Sequence, residues 1–548
     1  MDQLKALLAI IVVVVLGLLI GKPHNLSTDH KVPFYNNLGS YHFTITTKNN
    51  LTQRYFNQGL NLTFGFNHEE AGRAFKEAVR LDPDCAMCYW GAAYVLGPNI
   101  NAPMDKSVVA EAYELSQKAL ALAPKASEKE RAYIEALSKR YAANPPDDRS
   151  SLDKAYADAM REVVKQYPND LDAATLFAEA LMDLMPWNYW TKDSQPTTYT
   201  NEIVSTLESV LARNPNHPGA NHYYIHAVEA SQTPERAVPS AERLASLVPG
   251  AGHLVHMPAH TYWRVGRYHD AAVANEHAIH VDENYAPDRR NPGWYLMAYY
   301  PHNIHFLFAA AAMEGQSAVA IKAARKLVAE IPEANYKNLP PLEDFRPMPI
   351  FALVRFGKWE EILKEPQPSA ELQYTTGIWH YARGMAFLRL GKLDETTNEL
   401  STLEEIGKKP EMESFALASF STAATNLRIA SLTLGGELAG ARGQNDEMIS
   451  KLQEAVKLQD ALAYTEPPAW YFPVRQTLGA ALLKLGKAAE AEAVYREDLK
   501  QYLQNGWSLF GLMKSLEAQG KNSEVAEVKA QFEKAWAHAD VALAASQF

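Results

Sequence analysis

Cysteine is nearly missing from this chain of 548 residues: only Cys85 and Cys88 occur. Two thiols cannot build a four-thiolate zinc site, and Tyr89 stands where covalent haem attachment needs histidine. A small disulfide remains open if the chain is exported, and two buried thiols if it is not. Basic stripes and aromatic–basic interleaving are absent too. The formal net charge is −11, with the signs alternating along the chain, which argues against nucleic acid as a partner. β-branched runs are scarce after residue 50, leaving little from which to build sheet. HExxH, a nucleophile elbow, a Gly-rich phosphate loop and a catalytic Cys–His arrangement are all missing.

Long hydrophobic runs are missing with one exception. Residues 7–20 read LLAIIVVVVLGLLI, between Lys5 and Lys22–Pro23. The run is apolar all round, slightly short of the ~20 residues of a comfortable span, and has no clear cleavage site after it. It predicts an uncleaved signal anchor over 1–24, with a cleaved signal peptide as the alternative. Residues 25–50 read as a linker. The rest is then expected to face the periplasm or the extracellular space, or to be secreted if the segment is removed. Asn25, Asn50 and Asn61 begin N-x-Ser/Thr sequons.

What the chain does have is a repeat. Hydrophobic residues make up 47%, and Ala, Leu and Glu favour helix. Gly59, Ala71, Phe75, Ala78 and Pro83 set a punctuation in which small residues admit close helix contact and proline ends the pair. It returns at Ala237, Ala241, Leu244 and Pro249, at Gly266, Ala271 and Ala278, at Gly315, Ala320, Ala324, Leu327 and Pro332, at Gly384 and Gly391, and at Gly479, Gly486 and Ala491. These residues resemble the 34-residue helix-turn-helix of the tetratricopeptide repeat (TPR) family, of an exported, membrane-anchored bacterial type. The resemblance covers most of 50–535 in about ten units. Leu503 departs from it, standing where the terminating proline belongs, so that unit is expected to run on. The resemblance implies an all-α, right-handed superhelical solenoid whose first helices line a concave face. We divide it into a 51–335 array and a 336–548 array, the last helix (523–546) capping it. Three segments are too long for tight turns and read as binding loops or as surface decoration: 96–107; 185–200, with Trp187, Tyr189 and Trp190; and 282–301, with Arg289, Arg290, Trp294, Tyr295, Tyr299 and Tyr300. Trp379, Tyr381, Trp470 and Tyr471 are expected to pack between helices.

Seventeen histidines occur, and eleven fall between His217 and His305, where an even spread would place about three. With phase set by the punctuation, the units start at Pro218, Gly252 and Pro301. The family pattern puts positions 2, 5, 9 and 12 of the first helix on the concave wall. His222, His226 and Glu229 occupy such positions, as do His253, His256 and His260, then His302 and His305. Spacings of three or four residues put imidazoles on one helix face, close enough to share an ion with nitrogen bonds of ~2.0–2.1 Å. The expected ligands are therefore these seven histidines and Glu229, and the expected cofactor is a transition metal such as Cu, Fe or Zn. Haem held by paired histidines is a lesser alternative needing a wide apolar slot. Pro258, between His256 and His260, frees the Leu254 carbonyl and kinks the helix. His217, His269, His277 and His280 fall off the phase.

For a metalloenzyme the candidate bases are Glu229 and Glu179, the latter at position 9 of its own first helix. Whether the chain is an enzyme stays open. The competing reading is a metal-free scaffold holding a peptide or protein partner in the groove.

Overall fold

The structure is a computed structural model that describes residues 32–285 and 293–548. The expected anchor over 1–24, like Arg289 and Arg290, lies outside these residues. No helix among the described residues is long and apolar enough to cross a membrane.

The described residues are helical apart from connecting segments and three isolated bridges. Helices follow one another in pairs, as in Asn50–Phe64 with His68–Leu81 and Val474–Lys484 with Ala488–Gln501. Asn and Asp before the first turns supply the missing acceptors: Asn49 receives Leu51 and Thr52 N–H, and Asp170 receives Asp172 and Ala173 N–H. Ser127 and Glu130 form a reciprocal capping box. The small residues of the repeat have a direct cause. A Cβ on Gly59 would lie 2.7 Å from the Phe75 ring, and one on Gly479 2.3 Å from that of Tyr495. Each ring is driven between two helices that a methyl group would hold apart.

Two compact units form. Among the described residues, the N-terminal unit comprises 32–261 with 274–285 and 293–303, and the C-terminal unit comprises Tyr262–Val273 with Ile304–Phe548. In the first, Phe56 meets Phe75 at 5.3 Å and Trp90 stacks on Tyr94 at 5.2 Å. Residues 32–49, the described part of the expected linker, run without helix along the first pair. Phe43 and Ile45 are buried there, and the Gln53 amide donates to Phe43 O at 2.8 Å. Cys85 and Cys88 are joined as a disulfide at the start of the Ala86–Tyr94 helix. In the second unit Trp470 packs on Tyr381 (5.8 Å), and Phe351 stacks on Tyr471 (4.1 Å), so the expected interhelical aromatics are found there.

Three expectations need correction. Helices Tyr268–Tyr285 and Trp294–Met313 invade 282–301 from both sides, so most of that segment is helical. The unit at Leu503 does stop: its helix ends at Gln501, and the chain turns through Gln504 (φ 54°) into a helix capped by Asn505. The last helix is Asn522–Ala535, and residues 536–548 leave it without helix despite their alanines.

Candidate metal centre

Six of the predicted histidines come together in the N-terminal unit. His222 and His226 project from Pro218–Val228, His253 and His256 from Gly252–His256, His260 from Pro258–Arg264, and His302 from Trp294–Met313. Pro258 interrupts the ladder as expected, leaving Met257 between two short helices. The ligating atoms fall into two triples, His222–His226–His253 and His256–His260–His302, each within 4.8 Å. Neighbouring rings across the cluster lie 4.8–6.2 Å apart, from His256 against His260 to His226 against His253.

Hydrogen bonds settle which nitrogen faces inward. His222 Nδ1–H donates to the Phe64 carbonyl at 2.6 Å. His226 Nδ1–H donates to Glu229 Oε1 at 3.3 Å, and His256 Nδ1–H to Asn275 Oδ1 at 2.7 Å. His260 Nδ1 lies 2.8 Å from Glu229 Oε2. The partners of His222, His226 and His256 only accept, so in these three rings Nδ1 carries the proton and Nε2 keeps its lone pair. Nε2 of His222 and of His226, and both ring nitrogens of His253, are buried without a hydrogen-bond partner among the described residues. His256 Nε2 and His260 Nε2 face each other at 2.9 Å. Two nitrogens bound to one ion at ~2.0–2.1 Å stand roughly 2.9–3.4 Å apart, so this spacing suits a shared cation.

Burial, reinforced by neighbouring imidazoles, holds His222, His253 and His256 well below the ordinary histidine value. Burial lowers His226 too, against the pull of Glu229. For Glu229 burial pushes upward, but the His260 and His226 imidazoles outweigh it and hold the carboxyl at about 2. Its two oxygens address the outer nitrogens of one histidine from each triple. That is the place of an orienting group between the triples.

Of the supporting residues, Asn275, Asp282 and Phe66 were not legible in the sequence, whereas Trp187, Trp190 and Tyr299 stood in the segments read as binding loops. Asn275 sits on the Tyr268–Tyr285 helix, off the concave phase. Asp282, on the same helix, accepts from the Tyr295 hydroxyl (3.0 Å) and the Asn303 amide (2.8 Å), and Tyr295 in turn receives His253 N–H (2.8 Å). A Cβ on Gly252 would collide with that carboxylate. Phe66, in the turn after the first helix with φ 55°, lies against His222 (4.6 Å) and His253 (5.6 Å). Trp187, with φ 61°, meets His226 edge-on at 5.1 Å, and Trp190 Nε1–H holds Ala227 O at 2.7 Å. Tyr299 covers His253 at 4.6 Å, and the Asn101 amide donates to its hydroxyl. Loops 96–107 and 185–200 thus both reach the cluster's wall. Phe66 is a buried aromatic at positive φ, and sequence does not show φ.

Two predicted residues stand elsewhere. His305 belongs to the C-terminal unit, where its ring lies against Phe308 and Phe345, and burial lowers it to about 4. Three residues along a helix turn the side chain by about 300°, which carries His305 some 60° away from His302. Glu179 accepts from the Tyr94 hydroxyl at 2.7 Å in a buried group with Arg140 and Asp183, and burial raises it despite Arg140. Of the off-phase histidines, His217 caps its helix through Ala220 N–H.

No known protein-family profile matches the chain, and no curated protein sequence matches it. Among solved structures it is similar to human IFIT1 in its dimer with m7Gppp-AAAA, with TM-score 0.32, 11% identity and 90% of each chain covered. It is similar to the APC/C hetero-tetramer Cut9–Hcn1 (TM-score 0.26, 12% identity, 89% and 96% covered) and to the P58(IPK) TPR domain (0.23, 12%, 86% and 99%). Scores and identities this low carry no argument about this chain beyond what its own helix pairs display.

Proposed function

We propose that the N-terminal unit binds transition-metal ions, one at each histidine triple, with Glu229 and Asn275 orienting the ligands. The observation that carries this is the shared polarity of His222, His226 and His256, with Nδ1 anchored and Nε2 turned inward, together with the 2.9 Å approach between His256 and His260 Nε2. Burial and mutual crowding keep His222, His253 and His256 in the neutral form, which is the form a metal ion binds. An all-imidazole donor set suits Zn, Cu or Fe, whereas both cysteine sulfurs are taken by the disulfide. Close ring packing favours ions over a porphyrin, which needs a slot between its axial ligands. Three ligands per ion leave coordination positions open, through which a bound ion would supply Lewis-acid or redox chemistry. Phe66, Trp187 and Tyr299 would exclude water from those positions. The disulfide and the apolar 7–20 run support placement outside the cytoplasm and attachment to a membrane.

Metal analysis of the purified full chain, after incubation with Zn(II), Cu(II) or Fe(II) and desalting, tests the reading. We expect up to two equivalents of one metal, and at most one in His256→Ala. A wild-type chain that retains none of the three, with an unchanged melting temperature, leaves the metal-free scaffold as the reading.

A further inference from the structure

In a one-dimensional array each pair touches its neighbours, so a segment that only caps the end should rest on the last pair. Residues 536–548 do otherwise, and every contact below lies within the C-terminal unit. The segment leaves the final helix at Ala535 and runs through turns and bends across helices of earlier pairs. Asp540 accepts from Ser317 and Ala318 N–H at 2.7 and 2.9 Å, at the start of the Ser317–Glu330 helix, whose own N-cap provides no side-chain bond. That is an anion seat at a helix N-terminus, filled by a carboxylate more than two hundred residues away in sequence. Further on, the Ser546 hydroxyl donates to Gln476 O (2.7 Å), and the Thr477 hydroxyl donates to Gln547 Oε1 (2.8 Å). Arg389 Nε donates to the Phe548 carbonyl at 3.1 Å. The aromatic anchors share a hub: Trp536 and Phe548 pack on buried Trp507 at 5.2 and 5.7 Å. Their room is left by glycine, since a Cβ on Gly506 would lie 2.3 Å from Trp536 and one on Gly357 2.8 Å from Phe548.

We propose that residues 536–548 are an intramolecular ligand, seated in a peptide-binding site of the C-terminal unit. A peptide of the same chemistry, an acidic side chain followed eight residues on by an aromatic one, competes for that seat. The contacts have the character of peptide recognition: polar side chains meeting backbone, one anion seat and one aromatic pocket. Apart from buried Ser546, the segment is half-exposed or, as at His538 and Asp540, exposed, as a displaceable ligand must be.

The probe is a fluorescent synthetic peptide of residues 536–548, added to the full chain. The doubly substituted full chain, Asp540→Ala with Phe548→Ala, is expected to bind it at least tenfold tighter than wild type, because its own segment no longer holds the seat. A variant that melts cooperatively yet binds no better than wild type overturns the proposal. If that variant does not fold, hydrogen exchange on Asp540→Asn decides. Faster exchange at Ser317 and Ala318, with the surrounding helices protected, supports a displaceable ligand. Exchange there only with global unfolding shows a fixed structural strap and overturns it.

Discussion

The two units use one kind of scaffold and treat its inner polar groups in opposite ways. In the N-terminal unit, His222 and His226 are anchored by Nδ1 and keep a buried Nε2 with no hydrogen-bond partner among the described residues. In the C-terminal unit, Thr477, Arg389 and the Gln476 carbonyl are met by the chain's own 536–548 segment. The difference teaches where each kind of ligand is expected. Converging lone pairs from rigid helices call for a compact cation, because nothing larger reaches them all. Spread-out backbone and amide groups call for a peptide chain. A buried aromatic organises each place: Phe66 against the histidines, and Trp507 beneath the strap.

The comparison breaks first if the histidines hold nothing. Metal a thousandfold above its Kd stabilises the unit that binds it by about 4 kcal/mol. Wild type should therefore melt higher with the retained metal than with a chelator, and in His256→Ala that difference should shrink. Equal melting curves with and without metal would sink the contrast between the units. Next in size is acid sensitivity in the C-terminal unit. Burial lowers His305 from 6.5 to about 4, so the unfolded chain takes up its proton first. Stability is intact above pH 6.5 and falls as the pH drops, the full loss of roughly 3 kcal/mol being reached near pH 4. His305→Phe should flatten denaturant midpoints across that window, and an unchanged slope would place the acid response elsewhere. Gly479→Ala tests whether scaffold packing is shared: forcing a methyl group toward Tyr495 should cost about 2 kcal/mol in urea unfolding. The smallest effect sharpens the metal reading. Asn275→Ala removes the acceptor behind His256, so metal affinity should fall about tenfold.

Much of this was legible beforehand, for stated reasons. Small residues at Gly59 and Gly479 marked helix contacts because bulk is forbidden there, and the histidine phase followed from that register. Six histidines met as the phase implied, with Pro258 splitting the helix between two of them. His305 did not join them, because one further helical step turned it toward Phe308 and Phe345. Glu229 was found as a neighbour of the histidines, but its place behind two Nδ1 atoms depends on side-chain rotation that spacing does not encode. Asn275, Asp282 and Phe66 come from other helices and a turn, and no local pattern linked them to the cluster. The strap was invisible as well. Its alanines favour helix, and only Asp540 reaching Ser317 and the seats for Trp536 and Phe548 outweigh that preference.

Sequence alone determined the helix pairs and which face of each helix carries histidine, since both follow from periodicity within a few turns. Tertiary structure decided which nitrogen of each ring points inward, which carboxylate stands behind it, and what the last thirteen residues do. Those outcomes depend on partners tens to hundreds of residues away, whose approach is set by packing and not by local preference.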